Sequence, residues 1–109
     1  MIYYKKHQRV YAEKTSTVVA MCDEALIGKK IKSKATAAVL DLVTYANFYK
    51  GELLTPTQAR AIFKTLKEER ENLSLNLVGT ETLSAAKTVI DVSTAKKIGK
   101  IPHLQVYWM

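Results

Sequence analysis

Lysine residues form two short clusters in this sequence, and their ammonium groups are well suited to bind a phosphate-containing partner. The members of the two clusters are Lys29, Lys30, Lys32 and Lys34, and Lys96, Lys97 and Lys100. Lys30, Lys32 and Lys34 are spaced by two residues, so in an extended segment they would line one side of the chain and follow a phosphate backbone. Gly28 and Gly99 adjoin the clusters and would let the backbone approach a phosphate closely.

His103 and Cys22 are the residues with the most versatile chemistry. His103 follows a predicted turn near Lys97 and Lys100, where it is placed to hydrogen-bond a phosphate or stack on a base. Equally, it can be interpreted as a strand-start histidine whose ring is satisfied by backbone groups. Cys22 and His103 are a conceivable nucleophile and base, but Cys22 follows the apolar run Val18–Met21, which favours a buried packing role.

Other catalytic and metal-binding patterns are absent from the sequence. Asp23 and Glu24 form a candidate acid pair, although helix capping explains them more simply. His7 and His103 lie in different predicted strands without HExxH spacing, and no P-loop, G-x-S-x-G or G-x-G-x-x-G motif occurs. The single cysteine excludes an intramolecular disulfide and a cysteine-based zinc site. We therefore expect a protein that is not an enzyme and has neither a metal site nor a cofactor.

Charge and composition favour a polyanionic partner. The 109 residues are 48% hydrophobic and 25% charged, as in an ordinary globular domain, and the net charge is +7. The balance is +5 over residues 1–50, zero over 51–72 and +2 over 73–109. The alternative is a lysine-rich surface that serves solubility. No signal peptide and no apolar run of membrane-spanning length is present, so we expect one cytoplasmic domain over residues 1–109 that does not contact a membrane.

Aromatic residues form two small groups, and each has two interpretations. Tyr45, Phe48 and Tyr49 lie close together in sequence, as do Tyr107 and Trp108. Exposed members could stack on bases, whereas buried members would belong to the core, which is the more common role.

The first half of the chain predicts strands. Residues 2–11 and 16–22 are rich in β-favouring side chains, with a polar turn at residues 13–15 between them. Residues 23–27 predict one helical turn, capped by Asp23 and ended by Gly28. Residues 37–45 are apolar on both faces and fit a strand or a helix, with Val39, Val43 and Tyr45 favouring a strand.

The second half predicts two helices and three strands. Thr55, Pro56 and Gln58 are typical of a capping box at the start of a helix, and a shorter helix follows Thr80. Pairs at i,i+4, Lys64 with Glu68 and Lys67 with Glu71, predict a charge-balanced outer helix face. The three strands are predicted over residues 75–79, 95–98 and 103–108. This order predicts an α+β fold with a small antiparallel or mixed β-sheet and two α-helices.

Four segments of the sequence resemble an archaeal family called domain of unknown function 424. The segments are Cys22-Asp23-Glu24 with Gly28-Lys29, Phe48-Tyr49-Lys50-Gly51-Glu52, Asn76-Leu77-Val78-Gly79, and Ile98-Gly99-Lys100-Ile101-Pro102-His103-Leu104-Gln105. The resemblance covers nearly the whole chain in the same order, and the third and fourth segments are its most specific parts. Lys50 and Lys100 stand where the family usually has glycine, and the first half is more lysine-rich. The resemblance implies a compact α+β domain connected with translation or RNA, and it assigns no catalytic residue.

These observations favour an RNA-binding or ribosome-associated protein of the translation apparatus, part of a ribonucleoprotein in the cytoplasm. The lysines of both clusters would contact the phosphate backbone, and His103 would make a more specific contact. The alternative is a protein–protein adaptor in the same assembly that uses a sheet edge and the C-terminal Tyr107-Trp108-Met109. An enzyme with a Cys22, Asp23 and His103 site is the third hypothesis.

Overall fold

The fold is α+β, as predicted, with one large mixed sheet and a separate two-stranded sheet. The computed structural model describes residues 1–35, 37–69 and 71–108. Its strands and helices, in chain order, are β1 (Ile2–Tyr11), β2 (Lys14–Asp23), β3 (Lys30–Lys32), β4 (Val39–Asp41), α1 (Ala46–Tyr49), β5 (Glu52–Leu54), α2 (Pro56–Glu68), β6 (Leu73–Val78), α3 (Thr80–Lys87), β7 (Lys96–Ile98) and β8 (Ile101–Trp108).

The large sheet has six strands in the order β5-β1-β2-β6-β8-β7, which roughly fits the predicted sheet. β2 and β6 are parallel, and the other neighbouring pairs are antiparallel. The described part of the chain contains α1 in addition to the two predicted helices, but α1 has only four residues. No described helix is long and apolar enough to cross a membrane.

The β1–β2 hairpin turns more tightly than predicted. Its two connecting residues, Ala12 and Glu13, have φ angles of 48° and 67°. Two consecutive residues of positive φ are typical of the tight hairpin turn whose twist matches that of the strands. β2 therefore begins at Lys14, within the segment predicted to be the turn.

One face of the sheet is closed by α2 and α3. Alternating side chains of the strands contribute a buried layer on this face, which packs against Ala59, Phe63 and Leu66 of α2. The strand residues of this layer are Ile2, Val19, Met21, Leu73, Leu75, Leu77 and Leu104. Burial of this apolar area, at roughly 25 cal/mol per Å², stabilises the fold.

The start of α2 confirms the predicted capping box, but the predicted pairing of Lys67 with Glu71 is wrong. Thr55 Oγ1 accepts a hydrogen bond from Gln58 N at 3.2 Å, and Gln58 Oε1 accepts one from Thr55 N at 2.9 Å. The helix ends at Glu68, before Glu71, and Lys67 Nζ instead donates to the carbonyl oxygen of Val89 at 2.9 Å. Lys67 thus links α2 to the segment after α3.

Asp23 caps a helix, but not the one that the sequence predicted. Residues Glu24–Leu26 form a short 3-10 turn without a side-chain cap. The Asp23 carboxylate instead accepts hydrogen bonds from the backbone N–H groups of Glu81 and Thr82, at 3.0 and 2.7 Å, and from the Thr82 hydroxyl at 2.7 Å. Gly79 has a φ of 109°, and a Cβ there would overlap the Asp23 carboxylate, so glycine is required.

The opposite face of the sheet is covered only in part, by residues 24–51, which we call the covering segment. Leu26, Leu42 and Tyr49 of this segment pack on Ala20, Cys22 and Val78 of the sheet. Within residues 37–45 only Val39–Asp41 is a strand. The chain then turns, and the Asp41 carboxylate accepts hydrogen bonds from the N–H groups of Val43 and Thr44.

Candidate functional site

The first lysine cluster lies on the outer side of the covering segment. On β3, Lys30 and Lys32 are exposed, whereas Ile31 between them is half-buried and packs on the core beneath. Lys29 precedes this strand and Lys34 follows it, and both are exposed. The predicted alternation therefore holds for Lys30 and Lys32, while Lys34 lies beyond the end of the strand.

The second lysine cluster lies beside the first, although more than sixty residues separate them in sequence. Lys96 and Lys97 are exposed on β7, and Lys100 is exposed in the tight turn between β7 and β8. Gly99 of this turn packs against β3: a Cβ at Gly99 would lie 3.2 Å from Ile31 Cγ2 and 3.7 Å from the carbonyl oxygen of Lys32. The β7–β8 turn thus brings the second cluster next to the first, although Lys96 and Lys97, as neighbours on a strand, project from opposite faces of the sheet. We call the seven lysines together the lysine surface.

Few negative charges compensate the lysine surface. The ion pair found among the described residues joins the Met1 amino group to Glu81, away from these lysines. Asp41 is the partner of Lys30 across the β3–β4 pair. Hydrogen bonds from Thr44, then from Val43, together with the charge of Lys30, lower the pKa of Asp41. The lysine surface is therefore a region of excess positive charge.

The two glycines beside the clusters have contacts of their own within the fold. The Gly28 N–H donates to the carbonyl oxygen of Leu42 at 2.9 Å and is not available to a phosphate. Gly99 lacks a side chain where the turn packs on Ile31.

His103 lies at the border of the lysine surface. It pairs with Lys96 across β7 and β8, and both side chains lie on the partly covered face of the sheet. Together with Thr94 and Gln105 they line a depression of about 290 Å³. Within the described chain, no group hydrogen-bonds the His103 ring, so its nitrogens are free to contact a ligand.

Cys22 is a buried packing residue, as its position after an apolar run predicted. Its side chain is 0% exposed, and its Sγ donates to the carbonyl oxygen of Asp23 at 3.4 Å. Burial, and then the charge of Asp23, raise the pKa of the thiol to about 12, so it is protonated at neutral pH. Val78 lies between Cys22 and His103 in the row across the sheet. Two strand spacings of about 4.8 Å separate them, which is too far for a nucleophile–base hydrogen bond.

The aromatic residues of the covering segment anchor it to the sheet. The Phe48 ring stacks on His7 at 4.6 Å between centroids, and His7 Nε2 donates to the Phe48 carbonyl oxygen at 2.8 Å. The Tyr49 hydroxyl donates to Asn76 Oδ1 at 2.9 Å, and burial raises the pKa of Tyr49 to about 12. Tyr45 remains exposed. Phe48 and Tyr49 therefore have a structural role.

The C-terminal aromatic residues diverge. Trp108 lies on the helix-covered side and packs on the core, whereas the Tyr107 ring is 65% exposed on the opposite side. Met109, which belongs to the predicted adaptor motif, lies outside the described residues.

Sequence reasoning missed a second group of exposed cations and aromatic rings. Beyond α1 the partly covered face continues toward the β1–β2 turn, and we call this part the open sheet face. Its side chains are those of Arg9, Tyr11, Lys14, Ser16, Ser74 and Tyr107. The alternation of β1 was the available signal, because every second residue from Tyr3 to Tyr11 is basic or aromatic.

Among the residues that the structure describes, no group of three or more His, Cys, Asp or Glu side chains is arranged to hold a metal ion. The lysine surface, His103 and the open sheet face thus present mainly ammonium, guanidinium, imidazole and phenol groups.

Comparison with known proteins identifies the family. The family model described as protein of unknown function (DUF424) matches residues 11–109. The chain belongs to the DUF424 family. No curated protein matches the chain. A crystal structure of an uncharacterized conserved protein from Methanopyrus kandleri is similar to it, with a TM-score of 0.78 and 23% identity over 99% of this chain and 91% of that one. This likeness supports the fold.

Three of the sequence segments that resemble the DUF424 family meet in space. Asp23 of the first segment caps α3 directly after Gly79 of the third, and Gly79 N donates to the carbonyl oxygen of Pro102 in the fourth, at 2.8 Å. The contacts between these segments stabilise the sheet and α3. They also hold the β7–β8 turn, with Lys100, at its place beside β3.

Proposed function

We propose that this protein binds RNA through the lysine surface and acts in the translation apparatus as a ribosome-associated protein. The observation that carries the proposal is the contact of Gly99 with Ile31 and Lys32, because it joins two distant lysine clusters into one surface. A phosphate backbone neutralises several ammonium groups at once and releases condensed counterions, which drives binding. Cytoplasmic RNA is the abundant polyanion that fits this chemistry.

The salt dependence of binding tests this proposal. Structured RNA is titrated with the protein over a series of salt concentrations, and the logarithm of the association constant is plotted against that of the salt concentration. Each phosphate contact contributes about −0.7 to −0.9 to the slope. We expect a steep slope for the native protein. A flat slope would contradict the proposal.

A matched pair of triple variants locates the contact. Replacing Lys30, Lys32 and Lys34 by Ala removes three charges from the lysine surface and is expected to reduce the magnitude of the slope by about 2. The control replaces Lys6, Lys64 and Lys87, which are also exposed but lie on other parts of the sheet and helices. Equal losses in both variants would show that binding follows net charge alone. Both variants are expected to fold, since surface changes cost little stability.

Co-sedimentation with ribosomal subunits tests the cellular side of the proposal. We expect native protein to sediment with a subunit at low salt and to dissociate at high salt. The triple variant of Lys30, Lys32 and Lys34 should remain in the supernatant, whereas the control variant should sediment.

A protein–protein adaptor is a second candidate, favoured by one observation. β8 pairs with β7 only over Ile101–His103, so along Leu104–Trp108 its outer edge has no partner among the described strands. Such an edge can add a strand from another protein. This function predicts association with ribosomal subunits that resists high salt, opposite to the RNA-binding proposal.

A further inference from the structure

The open sheet face combines exposed aromatic rings with exposed cations. Tyr11 and Tyr107 have 73% and 65% of their surfaces exposed. Burying an aromatic ring away from water is favourable, so exposed rings of this size are available to a partner. Arg9 and Lys14 are exposed on the same face. Neither cation has an ion pair or a hydrogen bond to another described residue. No described carboxylate lines the two depressions that include Arg9, whereas Glu13 and Glu71 line a third depression beside Lys14.

The surface between these residues is a trough rather than a set of separate pits. A depression of about 460 Å³ is lined by residues that include His7, Phe48, Arg9 and Ser16. A second, of about 330 Å³, shares Arg9 and Ser16 with the first and reaches Tyr107 and the hairpin end of β1. The trough runs along β1 from His7 to Tyr11, which is four residue steps, or roughly 14 Å at 3.4 Å per step.

The trough is connected to the lysine surface along β8. His103, Gln105 and Tyr107 are alternate residues of β8, so their side chains project from the same face at intervals of about 7 Å. His103 lies at the lysine surface, and Tyr107 lies in the row of His7, Val18 and Ser74 on the open sheet face. A strand of nucleic acid that leaves the lysines can therefore continue over the open sheet face.

We propose that the open sheet face binds single-stranded RNA, with Tyr11 and Tyr107 stacking on unpaired bases and Arg9 and Lys14 contacting the phosphates between them. This inference rests on the proposed RNA-binding function and specifies its ligand. Bases of a duplex are stacked on each other and cannot cover the two rings, whereas unpaired bases can. Arg9 and Lys14 favour a polyanion over an apolar protein surface, because an apolar surface would bury their charges unpaired.

Anisotropy titrations with two RNA probes test the proposal. The probes are a labelled oligouridine of about twelve nucleotides, within the usual span of a single-strand site, and a blunt RNA duplex. Replacing both Tyr11 and Tyr107 by Ala is expected to weaken oligouridine binding by at least about tenfold, since one stacked base contributes about 1–3 kcal/mol. Duplex binding should change by less than about twofold, because the lysine surface is intact.

Three further variants exclude trivial explanations. Replacing Tyr11 and Tyr107 by Phe keeps both rings and should preserve oligouridine binding, which separates stacking from hydroxyl contacts. Val10→Ala changes an exposed neighbour on the opposite side of β1 and should have no effect. Replacing Arg9 and Lys14 by Ala should reduce the magnitude of the oligouridine salt slope by about 1.4. A thermal melt of each variant checks that it is folded.

The outcomes separate this inference from the RNA-binding proposal. If the native protein binds the duplex but not oligouridine, or if the Ala variant binds oligouridine as the native protein does, the open sheet face is not a single-strand site and RNA binding by the lysines still stands. If neither probe binds, both proposals are rejected. Selective loss of oligouridine binding in the Ala variant, with retention in the Phe variant, supports the single-strand site.

Discussion

The two faces of the six-stranded sheet differ in how they are covered and in which side chains they carry. On one face, α2 and α3 bury a continuous layer of aliphatic residues around Phe63. On the other face, the covering segment buries Cys22, Leu42 and Tyr49 and extends across the sheet only as far as the Phe48 side chain. Cations and tyrosines occupy the rest of that face. A sheet needs one packed face for stability, which leaves the other free to bind. We therefore expect substitutions on the first face to change folding and those on the second to change binding.

The largest expected difference between the faces is in stability. Phe63 is fully buried against the sheet, and Phe63→Ala should reduce the free energy of unfolding by about 3–5 kcal/mol. Tyr107→Ala removes an exposed ring and should change it by less than about 0.5 kcal/mol. Urea denaturation followed by circular dichroism measures both. A large loss of stability in Tyr107→Ala would mean that the open sheet face is packed against something in solution.

The next largest effect is expected at the end of β2, where Asp23 contacts the start of α3. Asp23→Ala removes the acceptor of two backbone N–H groups at the start of α3 and of the hydroxyl of Thr82, which is fully buried. The lost cap and the unsatisfied hydroxyl together should reduce the free energy of unfolding by about 2–3 kcal/mol.

The matched control for Asp23 is Asp91. Its carboxylate accepts a hydrogen bond from the neighbouring Ser93 N–H at 2.9 Å, but on the exposed surface. Asp91→Ala should change the free energy of unfolding by less than about 1 kcal/mol in the same urea experiment. Similar losses for both variants would argue against a special role of the Asp23 contacts.

The parts of the fold that depend on local residues could be predicted from the sequence. Thr55 and Gln58 are three residues apart, so the capping box of α2 could be read directly. The β-favouring side chains of residues 2–11 similarly located a long strand. Asp23 was recognised as a cap, but the helix that it caps begins 57 residues later, and no local pattern contains that information.

The candidate site was only partly predictable for the same reason. The sequence shows the two lysine clusters, but their proximity depends on the packing of Gly99 against Ile31. The alternation of β1 shows that Arg9 and Tyr11 share a face, but whether that face is exposed depends on where the covering segment ends. His103 could be placed on a strand, but its lack of a described hydrogen-bond partner follows from the arrangement of β7 and β8.

A smaller effect, on binding alone, is expected at the β7–β8 turn. Replacing both Lys100 and His103 by Ala should reduce RNA association by about tenfold, or 1.4 kcal/mol, which is the size of one lost charge-assisted hydrogen bond. Neither side chain is required for the backbone geometry of the turn, so the thermal melt should not change. Filter binding and a melt of the same sample measure the two quantities. Unchanged binding with a lowered melt would make His103 a structural residue.

The smallest effect concerns the buried thiol beneath the covering segment. Cys22 has a pKa of about 12 in the folded protein, against an ordinary value of 9.0 that applies to the unfolded chain. The raised pKa means that the folded state keeps the proton when the unfolded state has lost it. Its contribution to stability is complete below pH 9 and is lost as the pH rises from 9 toward 12.

Between pH 8.5 and 9.5 this loss should be under about 1 kcal/mol, because one group contributes at most about 1.4 kcal/mol per pH unit. The pKa of Tyr49 is also raised to about 12, but the ordinary value of 10.0 means that Tyr49 changes the pH dependence of stability mainly at higher pH. Urea denaturation at both pH values should show a decrease for the native protein and a smaller one for Cys22→Ala. Equal decreases in the free energy of unfolding for the native protein and Cys22→Ala would mean that the thiol is in contact with water. The covering segment would then not exclude solvent from this part of the sheet.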